Sequence, residues 1–168
     1  MSINFTEANC QYITEKKIFG LCDDPPPPSK QAYIDDENGN KWIAVIVNDQ
    51  ERRVTFTAID NCIELRGENG RMDKRCDGVL TYDSTIAFVE LKERGVRGNR
   101  WVEDGEKQLR STIGYFEKTI DAQNYKIKKA YIANSEHPKF KESQARRMEQ
   151  FLKETSYVLR IQNRIILD

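Results

Sequence analysis

One stretch of sequence, "RCDGVLTYDSTIAFVELKER" at residues 75–94, constrains the fold more than any other. It predicts two short apolar strands joined by a tight turn at Asp83-Ser84. The expected strands span residues 76–82 and 85–92. If the turn is centred between its two residues, facing positions of a regular hairpin have numbers that sum to 167. Asp77 and Glu90 are then expected to lie directly opposite each other, with Cβ atoms about 4.5–5.5 Å apart.

Charged residues interrupt these strands on one face only. Side chains alternate across a strand, so Glu90 and Lys92 share one face, while Ala87, Val89 and Leu91 form the other, apolar face. Two neighbouring carboxylates repel each other unless a proton or a bound cation compensates them. Mg²⁺ or Mn²⁺ is a suitable cation, since hard ions bind one or two carboxylates together with water and phosphate oxygens. Lys92 would then stand where it could orient or deprotonate an attacking water, as phosphodiester hydrolysis requires.

The pattern formed by Asp77, a gap of 12 residues and then Glu90-Leu91-Lys92 resembles that of the PD-(D/E)XK nuclease superfamily. Cys76 stands where the proline of the superfamily's name would stand. The resemblance implies a restriction endonuclease-like core (helix, three-strand meander, helix, strand) over residues 58–134. It also implies Mg²⁺ or Mn²⁺ as cofactor and a nucleic acid, in first place DNA, as substrate. The metal ligands would be Asp77, Glu90 and the backbone carbonyl of Leu91, with Lys92 as a catalytic residue.

The same resemblance suggests further site residues. A carboxylate on the helix before the first core strand would be a metal ligand, and Glu64 is the first candidate, with Asp60 second. A glutamine on the helix after the "ELK" strand would be catalytic, and Gln108 has that position. Tyr115 lies seven residues later on the same helical face, where it could contact the nucleic acid.

A glycine-containing basic loop follows Lys92 directly. Arg94, Arg97 and Arg100 are expected to grip substrate phosphates there, because guanidinium groups bind phosphate in a bidentate way. A second basic cluster could equally be a solvated surface. It consists of Lys139, Lys141, Arg146 and Arg147. The single histidine, His137, precedes a proline and is expected in a surface loop.

The remaining sequence predicts alternating helices and strands. "EDGEKQLRSTIGYFEKTID" has the apolar stripe of an amphipathic helix, and "KESQARRMEQFLKETS" predicts a second helix. Their expected inward residues are Leu109, Ile113, Phe116 and Ile120 in the first and Ala145, Met148, Phe151 and Leu152 in the second. "YKIKKAYIANS" predicts a strand, and "YVLRIQNRIILD" one strand or a bent pair. The expected fold is therefore α/β, with a mixed central sheet flanked by helices.

The length of 168 residues predicts a single domain with four parts. Residues 1–30 would be an N-terminal segment ending in the connector "DDPPPPSK". Residues 41–57 would form a β-hairpin. The nuclease-like core, opening with a short helix after Thr57, would span 58–134, and a C-terminal helix and strand 135–168.

Composition limits the possible functions. Lys plus Arg equals Asp plus Glu, at 27 each, so nucleic acid would be bound by a local patch rather than by bulk charge. No stretch approaches the length of a membrane span and none resembles a signal peptide, which predicts a cytoplasmic protein without membrane contact. The four cysteines contain no CxxC pair and are expected as free, mostly buried thiols. Homo-oligomerisation is possible but cannot be inferred from the sequence.

Two other interpretations of the charged trio remain open. The same scaffold could bind nucleic acid or a protein partner without catalysing any reaction. Alternatively, Asp77, Glu90 and Lys92 could be a structural ion-pair feature that affects stability alone.

Overall fold

The computed structural model describes residues 3–93, 100–136 and 144–168. Within these ranges the chain is a mixed α/β structure with two α-helices and two mixed β-sheets. The strands are β1 (Gln11–Thr14), β2 (Ile18–Cys22), β3 (Tyr33–Asp35), β4 (Ala44–Val47), β5 (Val54–Ala58), β6 (Gly78–Tyr82), β7 (Thr85–Lys92), β8 (Ile127–Asn134), β9 (Val158–Ile161) and β10 (Arg164–Ile166). The helices are α1 (Arg100–Glu117) and α2 (Ala145–Thr155).

The larger sheet has six strands in the order β1-β5-β6-β7-β8-β9. Strands β5, β6 and β7 form an antiparallel meander, and β8 and β9 add to it in parallel after α1 and α2. The smaller sheet has the order β10-β4-β2-β3. One apolar cluster joins the helices to the larger sheet, and a second joins the two sheets to each other. The described residues are thus stacked in three layers, with the larger sheet in the middle.

The predicted hairpin at 75–94 is confirmed, including its register. Gly78 faces Val89, and Tyr82 faces Thr85, so facing numbers sum to 167 as expected. Strand β7 has the predicted bounds, and β6 begins two residues later than expected. The apolar face of β7 belongs to the cluster between the sheets, and Ile86 and Phe88 on its other face belong to the cluster beneath the helices. The strand is therefore buried on both sides.

The predicted hairpin over residues 41–57 is wrong. Strands β4 and β5 are neighbours in the chain but belong to different sheets. The reason lies in the buried side chain of Asn48, which donates to the carbonyls of Lys16 and Arg52 and accepts from the Arg52 amide. These hydrogen bonds turn the backbone from one layer to the other instead of folding it back on itself.

The expected helix after Thr57 is also wrong. Strand β5 continues to Ala58, and the Ile59 and Asp60 amides then donate to the carbonyls of Asp77 and Cys76. These two hydrogen bonds continue the pairing of β5 with the segment before β6 beyond Ala58, so the backbone does not turn into a helix at Thr57. Residues 59–77 are therefore irregular, apart from an isolated bridge between Arg66 and Met72.

The prediction of free thiols holds for two cysteines and fails for the other two. Cys22 and Cys76 are free and buried. Cys10 and Cys62 form a disulfide that links positions 52 residues apart, with Cα atoms 5.9 Å apart. Their proximity is created by β1 pairing with β5, which spacing along the chain does not reveal.

The described part of the expected N-terminal segment, residues 3–30, is built into both sheets and is not separate from them. Strand β1 is an edge strand of the larger sheet, and β2 lies inside the smaller one. The four prolines at 25–28 are exposed and lie in the connection between β2 and β3. Because these two strands pair with each other, the prolines do not separate this segment from a main body.

The helices bury most, but not all, of the expected residues. Leu109, Ile113 and Phe116 of α1 are buried, but Ile120 is 81% exposed because α1 ends at Glu117. In α2, Phe151 is buried and Met148 packs against the core, whereas Ala145 and Leu152 are exposed, contrary to expectation. The C-terminal segment is a bent pair whose strands enter different sheets. Among the described helices, none has the length and apolarity needed to cross a bilayer.

Candidate active site

Two buried carboxylates face each other at one end of the larger sheet, where β6 begins and β7 ends. Asp77 is 7% exposed and Glu90 is 2% exposed. The Asp77 amide donates to Glu90 Oε1 over 3.1 Å, and the Leu91 amide donates to Asp77 Oδ2 over 2.7 Å. The two acids are therefore fixed relative to each other by backbone hydrogen bonds across the hairpin.

The ammonium group of Lys92 joins this pair to helix α1. Lys92 Nζ lies 3.0 Å from Glu90 Oε2 and donates to Gln108 Oε1 over 2.8 Å. Gln108 Nε2 in turn donates to the carbonyl of Arg75 over 3.5 Å. The four residues for which the sequence predicts a catalytic role thus form one contiguous group.

Burial makes this group electrostatically unfavourable. Desolvation, followed by repulsion from Glu90, raises the pKa of Asp77 well above its usual range. Desolvation also raises the pKa of Glu90, although hydrogen bonds from Asp77 and the charge of Lys92 act in the opposite direction. The site thus holds more acid than its single lysine can compensate.

A third carboxylate, which the sequence analysis did not identify, joins the pair from the smaller sheet. Asp23 directly follows β2, and its carboxyl group lies within electrostatic reach of that of Asp77. Desolvation and the charge of Asp77 raise the pKa of Asp23 to about 7. The signal in the sequence is an acidic pair directly after the apolar run "IFGLC", which is typical of a strand end.

One face of α1 contacts residues 73–76, which directly precede Asp77 and which we call the 73–76 segment. Thr112 Oγ1, which is buried, accepts from the Cys76 amide over 2.9 Å and donates to the Gln108 carbonyl over 3.0 Å. The Tyr115 hydroxyl donates to the carboxylate of Asp73. Gln108, Thr112 and Tyr115 therefore fix the backbone on which Asp77 is mounted.

An open cleft of about 460 Å³ is lined by Lys92, the ion-pair partner of the buried Glu90, and by Gln108. Its lining residues come from the loop before β6, from the end of β7 and from α1. They are Asp60, Lys74, Arg75, Lys92, Asp104 and Gln108. Asp60 is paired with Arg75 over 2.9 Å, which places the second-choice acid of the sequence analysis at the cleft.

The other predicted residues lie elsewhere. Glu64 is exposed, pairs with Arg66 at 3.1 Å and does not line the cleft. Arg100 is exposed at the first position of α1. Arg94, Arg97, His137, Lys139 and Lys141 lie outside the described residues. Of the second basic cluster, Arg147 pairs with Glu106 at 2.6 Å, which ties it to α1.

The chemistry of the acidic group suits a hard cation. Asp77 and Glu90 offer carboxylate oxygens, the donors that Mg²⁺ and Mn²⁺ prefer, and of the two only Glu90 is paired with a cation among the described residues. In the described ranges, no group of three or more His, Cys, Asp or Glu side chains is placed so that it could hold a metal ion.

Comparisons of the chain with protein-family models, with curated proteins and with solved structures gave no match.

Proposed function

We propose that the protein is a metal-dependent nuclease that hydrolyses phosphodiester bonds, with DNA as the first substrate to test. The observation that carries this proposal is the buried Asp77–Glu90 pair with Lys92 bridging to Gln108 at an open cleft. The meander β5-β6-β7, α1 and β8 also follow the order expected for a restriction endonuclease-like core, without its first helix. A cytoplasmic location remains a prediction.

Asp77 and Glu90 would hold Mg²⁺ or Mn²⁺, with the carbonyl of Leu91 as an additional ligand. A metal ion at this position would polarise a phosphoryl oxygen and lower the pKa of water. Lys92 has three N–H donors, of which Glu90 and Gln108 use two, so one is left to orient the attacking water or a phosphate oxygen. Gln108 positions Lys92 and does not itself need to touch the substrate.

Cleavage assays with variants test this proposal. Purified protein is incubated with circular and linear, single- and double-stranded DNA, with an RNA of the same sequence, and with Mg²⁺, Mn²⁺ or EDTA. We expect cleavage that requires the metal, and we expect Asp77→Ala and Lys92→Ala each to reduce its rate at least about 100-fold, as for loss of a group that acts in the transition state.

Lys126→Ala is the matched control. Lys126 is exposed and precedes β8 at the end of the sheet opposite the site, because Ile127 faces Thr85 while Lys92 faces Asn134. The Lys126→Ala variant should cleave DNA at the same rate as the wild type. Persistent cleavage by both purified site variants, each shown to be folded by circular dichroism, would exclude the assignment.

One observation favours a second function, a nucleic-acid-binding or partner-binding module without catalysis. Lys92 already compensates Glu90, so the ion pair is complete without any metal. Calorimetry with Mn²⁺ separates the two functions. Binding that Asp77→Asn abolishes supports the enzyme, and no binding by the wild type supports the module.

A further inference from the structure

Most charged side chains that line the cleft are already paired. Arg75 binds Asp60 at 2.9 Å, and Lys92 binds Glu90 at 3.0 Å. Lys74 is different, since it is exposed and makes no ion pair or side-chain hydrogen bond to any of the residues that the structure describes. An ammonium group that lines a cleft without a partner is available for an anionic ligand.

The backbone that carries Lys74 is held on both sides. The neighbouring residue Asp73 receives a hydrogen bond from Tyr115, and the carbonyl of Arg75 receives one from Gln108. The Cys76 amide is bound by buried Thr112. Lys74 is thus mounted on a fixed segment three residues before Asp77, and not on a free loop.

From this arrangement we propose that Lys74 is a substrate-positioning residue that binds a backbone phosphate of the nucleic acid next to the bond being cleaved. The inference rests on the proposed function, because it takes the chemistry at Asp77 and Glu90 as given. Lys74 and Lys92 line the same cleft, so a nucleic-acid strand whose phosphate reaches Lys92 enters the cleft that Lys74 also lines. An ammonium ion is a strong phosphate ligand and reads no base sequence, so the contact serves any sequence.

Asp104 is the opposing group in the same cleft. It lies on α1 one turn before Gln108, and no described residue pairs with it. Its charge repels a polyanion while that of Lys74 attracts one. Replacing these two residues one at a time must therefore change affinity in opposite directions.

Fluorescence anisotropy with labelled single- and double-stranded DNA tests the inference on the full chain. Ca²⁺ is used as the divalent ion, and cleavage kinetics are measured in parallel with Mn²⁺. For Lys74→Ala we expect about tenfold weaker binding, as for loss of one charge-assisted contact, and we expect the slope of log K against log salt to become shallower by about 1. KM should rise while kcat stays within about twofold, which is typical of lost ground-state binding.

Three further variants sharpen the result. Lys74→Arg should bind like the wild type, Asp104→Asn should bind more tightly, and Lys126→Ala should be unchanged. Equal affinity and equal salt slope for Lys74→Ala and the wild type would overturn the inference even if the protein cleaves DNA. No cleavage by the wild type would overturn the proposed function instead, and the anisotropy result alone would then decide the role of Lys74.

Discussion

Replacing Asp23 with asparagine removes a partly buried carboxylate that the charge of Asp77 repels and leaves the shape of the side chain nearly unchanged. In the protein without a cation, the pKa of Asp23 is raised from 3.8 to about 7. Because the folded pKa lies above the unfolded one, the stability that Asp23 contributes is complete below about pH 3.8 and is lost as the pH rises through about 7. The asparagine side chain carries no charge at any of these pH values, so the variant should be the more stable protein above pH 7.

The size of the effect follows from the shift. The change in the pKa of Asp23 from 3.8 to about 7 corresponds to a free-energy difference of at most about 4 kcal/mol, at about 1.36 kcal/mol per pKa unit. Asp23 is only partly buried, and solvent screens its interaction with Asp77. We therefore expect Asp23→Asn to raise the free energy of unfolding by about 1–2 kcal/mol at pH 8, and to leave it unchanged near pH 4.

Urea denaturation in EDTA, repeated across this pH range, measures the difference. Asp24→Asn is the matched control, because Asp24 is exposed and an asparagine can still accept the hydrogen bond from Tyr33. Its effect should stay within about 0.5 kcal/mol at every pH. If Asp23→Asn is less stable than the wild type at pH 8, or if its effect does not vary with pH, the contact between the two acids is not as described.

Two predictions concern the stability of the fold. Gly78→Ala should lower the free energy of unfolding by about 2–4 kcal/mol in urea denaturation, since a Cβ there would lie 2.3 Å from the ring of Phe56. Gly39→Ala is the control and should be nearly neutral, because a Cβ at Gly39 has nothing within 4 Å. Equal stability of the two variants would contradict this packing. Removing the disulfide with a Cys10→Ser, Cys62→Ser double variant should lower the free energy of unfolding by about 4 kcal/mol, the chain-entropy value for a loop of 52 residues. Unchanged stability of this variant would show that the two positions are not linked in solution.

The sequence predicts local geometry better than the pairing of distant strands. The register of the hairpin follows from a two-residue period and a short turn, so the meeting of Asp77 and Glu90 could be worked out beforehand. The inward positions of Leu109 and Ile113 could also be predicted, since helical periodicity depends only on nearby residues. A local pattern therefore sufficed to place Asp77 opposite Glu90.

Placement in layers could not be predicted in this way. Strand β4 is apolar and β-branched and would suit either sheet, and its place in the smaller one depends on pairing with β2 and β10 and on the turn at Asn48. Asp23 comes from that smaller sheet and lies 54 residues before Asp77 in the sequence, so no spacing rule connects them. The disulfide of Cys10 and Cys62 was missed for the same reason.

The count of charges at the site supports an external cation more strongly than any single contact does. Asp77 and Glu90 face each other there, Asp23 lies within electrostatic reach of Asp77 without completing a three-acid group, and within the described residues Lys92 is the only cation that any of them binds. Lys92 compensates Glu90, and one shared proton can neutralise half of the Asp23–Asp77 pair. A purely structural ion pair would need only Glu90 and Lys92, so the two remaining acids would weaken the fold without benefit. A divalent ion bound at Asp77 and Glu90 would convert this repulsion into binding energy, which is why the acids that burial destabilises are the ones that we expect to function.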